Sequence, residues 1–94
     1  MPITLTDQVS RVPDALASNI DNELMILNME TNNYVALDEI GRRIWEIIET
    51  PVTIRDLCAQ LAREFRAQPG QIEADVLAFL NQMSAEKLVN VLPG

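Results

Sequence analysis

Hydrophobic and polar positions change their period near the middle of the chain. Tyr34, Val35, Ala36 and Leu37 form a short, largely apolar and β-prone run, which predicts a strand over 34–37. From Ile40 onward the apolar residues fall at 40, 44, 47 and 48, the stripe of an amphipathic helix, expected over about 39–49. Asp38 stands at the switch, where its carboxylate suits an N-cap that accepts from the free N–H groups of the first turn. Thr50 and Pro51 close the helix, because the residue before a proline is driven out of helical geometry.

Before this switch the pattern reads as sheet. Residues 1–14 show no clear period; residues 9–12 are expected to form a short edge strand that Pro13 ends. A strand over 15–20, a turn at Asp21, Asn22 and Glu23, a strand over 24–29 and a turn over 30–33 follow. The Leu and Met of 24–29 also suit a helix, but six residues between turn signals favour a strand. The expected product is a three-stranded antiparallel meander.

After the switch the pattern reads as helix. Thr53 and Asp56 stand at capping-box spacing, followed by an apolar stripe of Ile54, Leu57, Cys58, Leu61 and Phe65. Pro69 and Gly70 break the chain, and a last helix over 70–86 carries Ile72, Val76, Phe79, Leu80 and Met83 on one face, with Leu77 off that stripe. The alternating tail 88–92 predicts a short closing strand. Gly41, in a first helical turn where it costs about 0.5–1 kcal/mol relative to Ala, points to close approach of that helix to the sheet or to the last helix. Trp45 is expected in the core. The domain reading is one unit over 1–94: an N-terminal segment 1–14, a sheet 15–37 and helices 38–88.

Composition narrows the function classes. Ninety-four residues, 48 % hydrophobic, suffice for one modest core. No apolar run approaches the roughly 20 residues of a membrane span, and no signal peptide is expected at the N-terminus. A single cysteine, Cys58, cannot form an internal disulfide, and an intracellular, cytoplasmic protein is the simplest reading. The net charge of −7, from 14 acids and 7 bases, argues against nucleic acid and for protein or peptide partners with basic segments; its plain alternative is solubility. There is no histidine, which excludes Ser-His-Asp and Cys-His chemistry and disfavours zinc. Cys58, on an apolar helical face, reads as a buried inert thiol. No enzyme, cofactor or metal is expected.

Three blocks remain: Leu37 to Trp45 (LDEIGRRIW), Thr53 to Leu57 (TIRDL) and Glu73 to Leu80 (EADVLAFL). Together they resemble the PqqD family, over about residues 11–92. Asp38 replaces the family's common Asn, an even exchange at an N-cap. Lys87, Leu88 and Val89 stand where many members have a Gly before the last apolar pair, so a different turn after the last helix is expected. The resemblance implies an α+β fold, a three-stranded antiparallel sheet followed by a three-helix bundle, winged-helix-like. It also implies binding of the leader segment of ribosomally made precursor peptides and delivery to modifying enzymes: a radical-SAM enzyme in quinone assembly, or a leader peptidase and a cyclase for lasso peptides, with a slight lean to the lasso type.

The implied site is the edge of the strand 33–37 together with a groove against the last helix. The residues themselves support part of this. The last strand of a meander that leaves as a helix has an edge without a partner, and unpaired N–H and C=O groups invite strand addition. The candidate peptide-binding residues are Asn33, Tyr34, Val35, Ala36 and Leu37 on the strand and Asp75, Val76, Phe79 and Met83 on the helix. At helical spacing Val76, Phe79 and Met83 suit a core equally, and Tyr34 suits the outer sheet face or the flank of a peptide. The same edge would also admit a second copy of the chain as a homodimer. The alternatives are a winged-helix DNA-binding regulator, against which Glu73 and Asp75 on the last helix argue, and an enzyme subunit without an active site of its own.

Overall fold

Turns and proline breaks divide the chain into the elements β1 (Gln8–Arg11), β2 (Ala15–Ile20), β3 (Glu23–Asn28), β4 (Tyr34–Leu37), α1 (Glu39–Ile47), β5 (Val52–Thr53), α2 (Ile54–Phe65), α3 (Pro69–Ala85) and β6 (Val89–Leu92). This computed structural model describes residues 3–21 and 23–93, so Met1, Pro2 and the Asn22 of the expected turn lie outside the described residues. The fold is mixed α+β, with three helices and antiparallel sheets.

The meander is present as strand order β2-β3-β4, with Leu27 opposite Leu16 and Tyr34, and Leu24 opposite Asn19 and Leu37. A second three-stranded sheet, β5-β1-β6, departs from the expectation of one sheet. Here β1 is the central strand and not an edge, paired antiparallel with both the tail strand β6 and the two residues of β5. The strands expected over 9–12 and 88–92 are there, but β1's partners lie more than forty residues away in sequence, so no local pattern announces the pairing.

The buried face of β4 (Val35, Leu37) and of β3 (Leu24, Ile26) packs with Ile44, Trp45 and Ile48 of the α1 region, Ile54, Leu57 and Leu61 of α2 and Ile72, Val76, Leu80 and Met83 of α3 in one hydrophobic cluster. Asp38 caps α1: its Oδ1 accepts from the Gly41 N–H at 2.7 Å. Thr53 Oγ1 accepts from the Asp56 N–H at 3.2 Å, and two further free donors of α2, the Ile54 and Arg55 N–H groups, reach the carbonyls of Asp7 and Leu5. The segment before β1 is therefore a brace for α2. Arg11 closes the other end of α1: its guanidinium lies 4.9 Å from the Trp45 ring centre and its Nε donates to the Trp45 carbonyl at 2.7 Å. Trp45 is buried, as expected.

Helix α3 ends in a Schellman turn. The Leu88 N–H donates to the Met83 carbonyl and the Lys87 N–H to the Ser84 carbonyl, with Leu88 and Met83 both fully buried. Lys87 takes φ 59, the left-handed conformation that glycine adopts without steric cost. The expectation that this turn differs for want of a glycine is corrected: the turn is the glycine-type one, and the lysine bears the strain.

Candidate functional site

Two hydrogen bonds orient β4. The Met29 N–H donates to the Asp14 carbonyl at 3.2 Å, towards β2, and the Asn28 N–H donates to the Asn33 carbonyl at 2.8 Å, towards β4. Ladder bonds alternate sides along a strand, so the odd residues of β3 face β2 and the even ones face β4. Leu24 pairs with Leu37 and Ile26 with Val35, so Val35 and Leu37 turn their main-chain groups to β3. Tyr34 and Ala36 turn theirs the other way, where no further strand lies among the described residues. The unpaired edge is thus two residues, not five. Asn33 belongs to the turn, its N–H donating to Thr31 Oγ1 at 3.3 Å.

Helix α3 runs antiparallel to this edge, tied to it at both ends. At the Tyr34 end, Asn28 Nδ2 donates to the Lys87 carbonyl at 2.7 Å, just past α3. Asn28 is buried, and its Oδ1 also accepts from the Glu30 and Thr31 N–H groups, so one side chain holds both the β3–β4 turn and the end of α3. At the Leu37 end, Gly41 meets Phe79: a Cβ on Gly41 would stand 3.0 Å from Phe79 Cε1, 3.2 Å from Asp38 Oδ1 and 3.3 Å from Leu37 Cβ. The close approach expected of Gly41 is therefore to the last helix as well as to the sheet.

Which face of α3 borders this edge decides the fate of the candidate residues. Ile72, Val76, Leu80 and Met83 are fully or almost fully buried. Val76 and Met83, for which the sequence left groove and core open, present no surface and belong to the core. The helical flank carrying Phe79 runs Asp75, Phe79, Gln82 and Glu86, at i, i+4, i+7 and i+11. Asp75 is exposed and accepts from Gln71 Nε2 at 3.0 Å, Phe79 is half-buried, Gln82 is exposed and Glu86 half-buried. Gln82 and Glu86 were missed in the sequence because the apolar stripe drew attention to the face beneath them. Asn28 was hidden inside an apolar run.

On the outer face of the meander, Leu16, Leu27 and Tyr34 form a cross-strand row, with Leu16 52 % and Tyr34 67 % exposed. Tyr34 therefore shows its ring on the outer sheet face while its main chain lies on the free edge. At the Leu37 end an open cavity of about 740 Å³ is lined by Asn19, Asp21, Glu23, Leu37, Asp38 and Glu39, among others, with Arg42 as its single base.

Charge pairing and burial elsewhere are structural. Arg43 Nε meets Glu64 Oε1 at 2.7 Å and Arg43 Nη1 meets Glu46 Oε1 at 3.2 Å. The bonds from Arg43 and then Gln60 pull the Glu64 carboxyl down to about 2. Burial, and then the charge of Glu73, push the Cys58 thiol up to about 11. Among the described residues no group of His, Cys, Asp and Glu is placed to hold a metal ion, and no helix is long and apolar enough to cross a membrane.

The family model for coenzyme PQQ synthesis protein D (PqqD) matches residues 23–89, from the start of β3 into β6. Two solved structures share the fold. One is TbiB1 in complex with the TbiA(beta) leader peptide, at 23 % identity and a TM-score of 0.76, over 86 % of this chain and 94 % of that one. The other is the PqqD truncation of Methylobacterium extorquens PqqCD, described as a stand-alone recognition element for ribosomally synthesised and post-translationally modified peptides. It aligns at 18 % identity and a TM-score of 0.78, over 94 % of each chain. No curated protein matches the chain in sequence.

Proposed function

Because the chain belongs to the PqqD family, we propose that it binds the leader segment of a ribosomally made precursor peptide and delivers it to modifying enzymes, with no catalysis of its own. The observation that carries this reading is the free edge at Tyr34 and Ala36, whose N–H and C=O groups face away from β3, with Phe79 of α3 at its Leu37 end. A peptide adds there as a further strand, its alternate side chains entering the groove between β4 and α3. Val35 and Leu37 support the edge from the core side, and Asn33 fixes its start. TbiB1, which shares the fold, was solved with a leader peptide bound. The partners in this reading are a leader peptidase and cyclase or a radical-SAM enzyme, in the cytoplasm. Without peptide, the same edge is open to a second copy of the chain.

The succession of α1, β5, α2, α3 and β6 is winged-helix-like. The helix that would enter a DNA groove, α3, carries Glu73 and Asp75 and no base, so a duplex is not the partner proposed.

Titration with synthetic leader peptides, followed by amide NMR, tests the reading. The Tyr34 and Ala36 amides are expected to move most. Ala36→Pro deletes one outward N–H without touching the β3 ladder, so a folded variant that binds about tenfold more weakly or worse is expected. Responses centred on α2, or wild-type affinity in Ala36→Pro, would exclude strand addition at β4.

A further inference from the structure

The acidic excess of this chain is not spread over its surface. Residues 12–41 and 67–85, which hold β2, β3, β4 and α3, contain eight of the fourteen acids and none of the seven bases. This half carries a net −8, and the remainder, with six acids and seven bases, carries +1. The segregation follows the fold. Arg43 is bound to Glu64 and Glu46 on the α1–α2 surface, and Arg11 is seated on Trp45. Every charged side chain on β2, β3, β4 and α3 and in the turns between the strands is a carboxylate. Glu86 and Lys87, just past α3, offset each other.

The free edge lies inside this acidic half. Asp38 and Glu39 follow its Leu37 end, beside the cavity that also shows Asp21 and Glu23 against one base, Arg42; Glu30 stands in the turn before Tyr34; and Asp75 lies one turn from Phe79 on the α3 flank. A strand added to the Tyr34 and Ala36 groups would have Glu30 near one end and Asp38, Glu39 and Asp75 towards the other, with carboxylates outnumbering the bases Arg42 and Lys87. Main-chain bonds hold any extended segment alike and do not discriminate. The field around the edge does, because like charges set against each other oppose docking and opposite ones speed and strengthen it.

We infer that the segment this edge takes is cationic: an extended peptide with Lys or Arg at positions flanking its apolar anchors, and without a run of acids. The inference rests on the strand-addition reading above and deepens it from a peptide to a basic peptide. No single carboxylate is a binding site in this account; the polarised half of the molecule selects the occupant.

Three fluorescein-labelled peptides of one β-prone sequence test it, differing only in Lys, Gln or Glu at the same alternate positions. Affinity is read by anisotropy at low and high salt, and location by amide NMR. The Lys peptide is expected to bind at least about tenfold more tightly than the Glu peptide at low ionic strength, with Gln between, and the gap to shrink to about twofold near 0.5 M salt. Asp75→Asn combined with Glu30→Gln is expected to weaken the Lys peptide several-fold more than the Gln peptide, and equal weakening of the two would count against the charge inference. Equal affinities, or preference for Glu, with shifts still centred on Tyr34 and Ala36, would overturn the charge inference and leave strand addition standing. Shifts elsewhere, or none with any peptide, would overturn both.

Discussion

Asn28 and Lys87 are joined by one hydrogen bond, Asn28 Nδ2 to the Lys87 carbonyl at 2.7 Å, across 59 positions of sequence. Asn28 is the buried polar residue of the core as described, and every polar atom of its side chain is used. It sets the height of the β3–β4 turn on the end of α3, and hence the width of the groove at its Tyr34 end.

Asn28→Ala is expected to destabilise the fold by about 2 kcal/mol, because it strands a carbonyl and two turn amides that are partly out of water. Urea unfolding checks this through a lowered midpoint at unchanged slope. Asn28→Asp, which keeps the acceptor and loses the donor, is expected to be no better at neutral pH. A midpoint for Asn28→Asp equal to wild type would show that the bond to Lys87 does not hold the turn.

The opposite end of the groove depends on Gly41. Alanine there gains helix propensity of up to about 1 kcal/mol but places a methyl against Phe79, Asp38 and Leu37 at 3.0–3.3 Å. The Leu37 contact cannot yield easily, so Gly41→Ala is expected to cost about 1 kcal/mol net. The loss should shrink when Phe79→Ala is present, and a double-mutant cycle by thermal unfolding reads that coupling. Strict additivity would mean that Phe79 is not what Gly41 makes room for.

Lys87 invites a gain. Its φ of 59 costs a side-chain-bearing residue about 1–2 kcal/mol, part of which glycine returns through the entropy of the unfolded chain. Lys87→Gly is expected to stabilise by about 0.5–1 kcal/mol, raising Tm by several degrees, while Lys87→Ala gives no such gain. Calorimetry of the two variants separates backbone strain from the loss of the charge.

What could be read from the sequence followed the locality of its causes. The Asp38 cap, the Thr53 cap, the Gly41 contact and the buried Trp45 are set by residues a few positions away or by size, and each appears in the structure. The sheet β5-β1-β6 is set by pairing across more than forty residues, and two residues of β5 have no pattern of their own. In the candidate site, the strand edge was legible because a meander that ends in a helix must leave an edge. Its two outward residues needed the register. Val76 and Met83 share an apolar stripe with Phe79, and only the position of α3 separates the buried side of that stripe from its rim.

Cys58 is predicted to be silent as a nucleophile. Its thiol is buried on α2 and held up to about 11 by burial and then by Glu73, so at pH 8 it stays protonated. Ellman's reagent should modify it only as fast as the chain opens, with full reaction after unfolding in urea, and Cys58→Ala should leave peptide binding unchanged. Rapid labelling of the folded protein would contradict this placement of α2.

The Arg43–Glu64 pair makes a prediction with a definite sign. The Glu64 carboxyl is held at about 2 in the folded protein, below the ordinary value near 4.3, chiefly by its bonds from Arg43 and Gln60. A folded value below the unfolded one means that the pair stabilises at pH above about 4–5 and loses that contribution as pH falls towards 2, since the unfolded chain takes up the proton first. Both side chains are about one-third exposed, so water and salt screen the effect and it is modest. Glu64→Gln removes the titrating group, and its stability should fall less steeply between pH 5 and pH 2 than that of the wild type, the difference narrowing in high salt. Parallel acid limbs for the two proteins in chemical denaturation would show that the pair contributes nothing to the pH dependence.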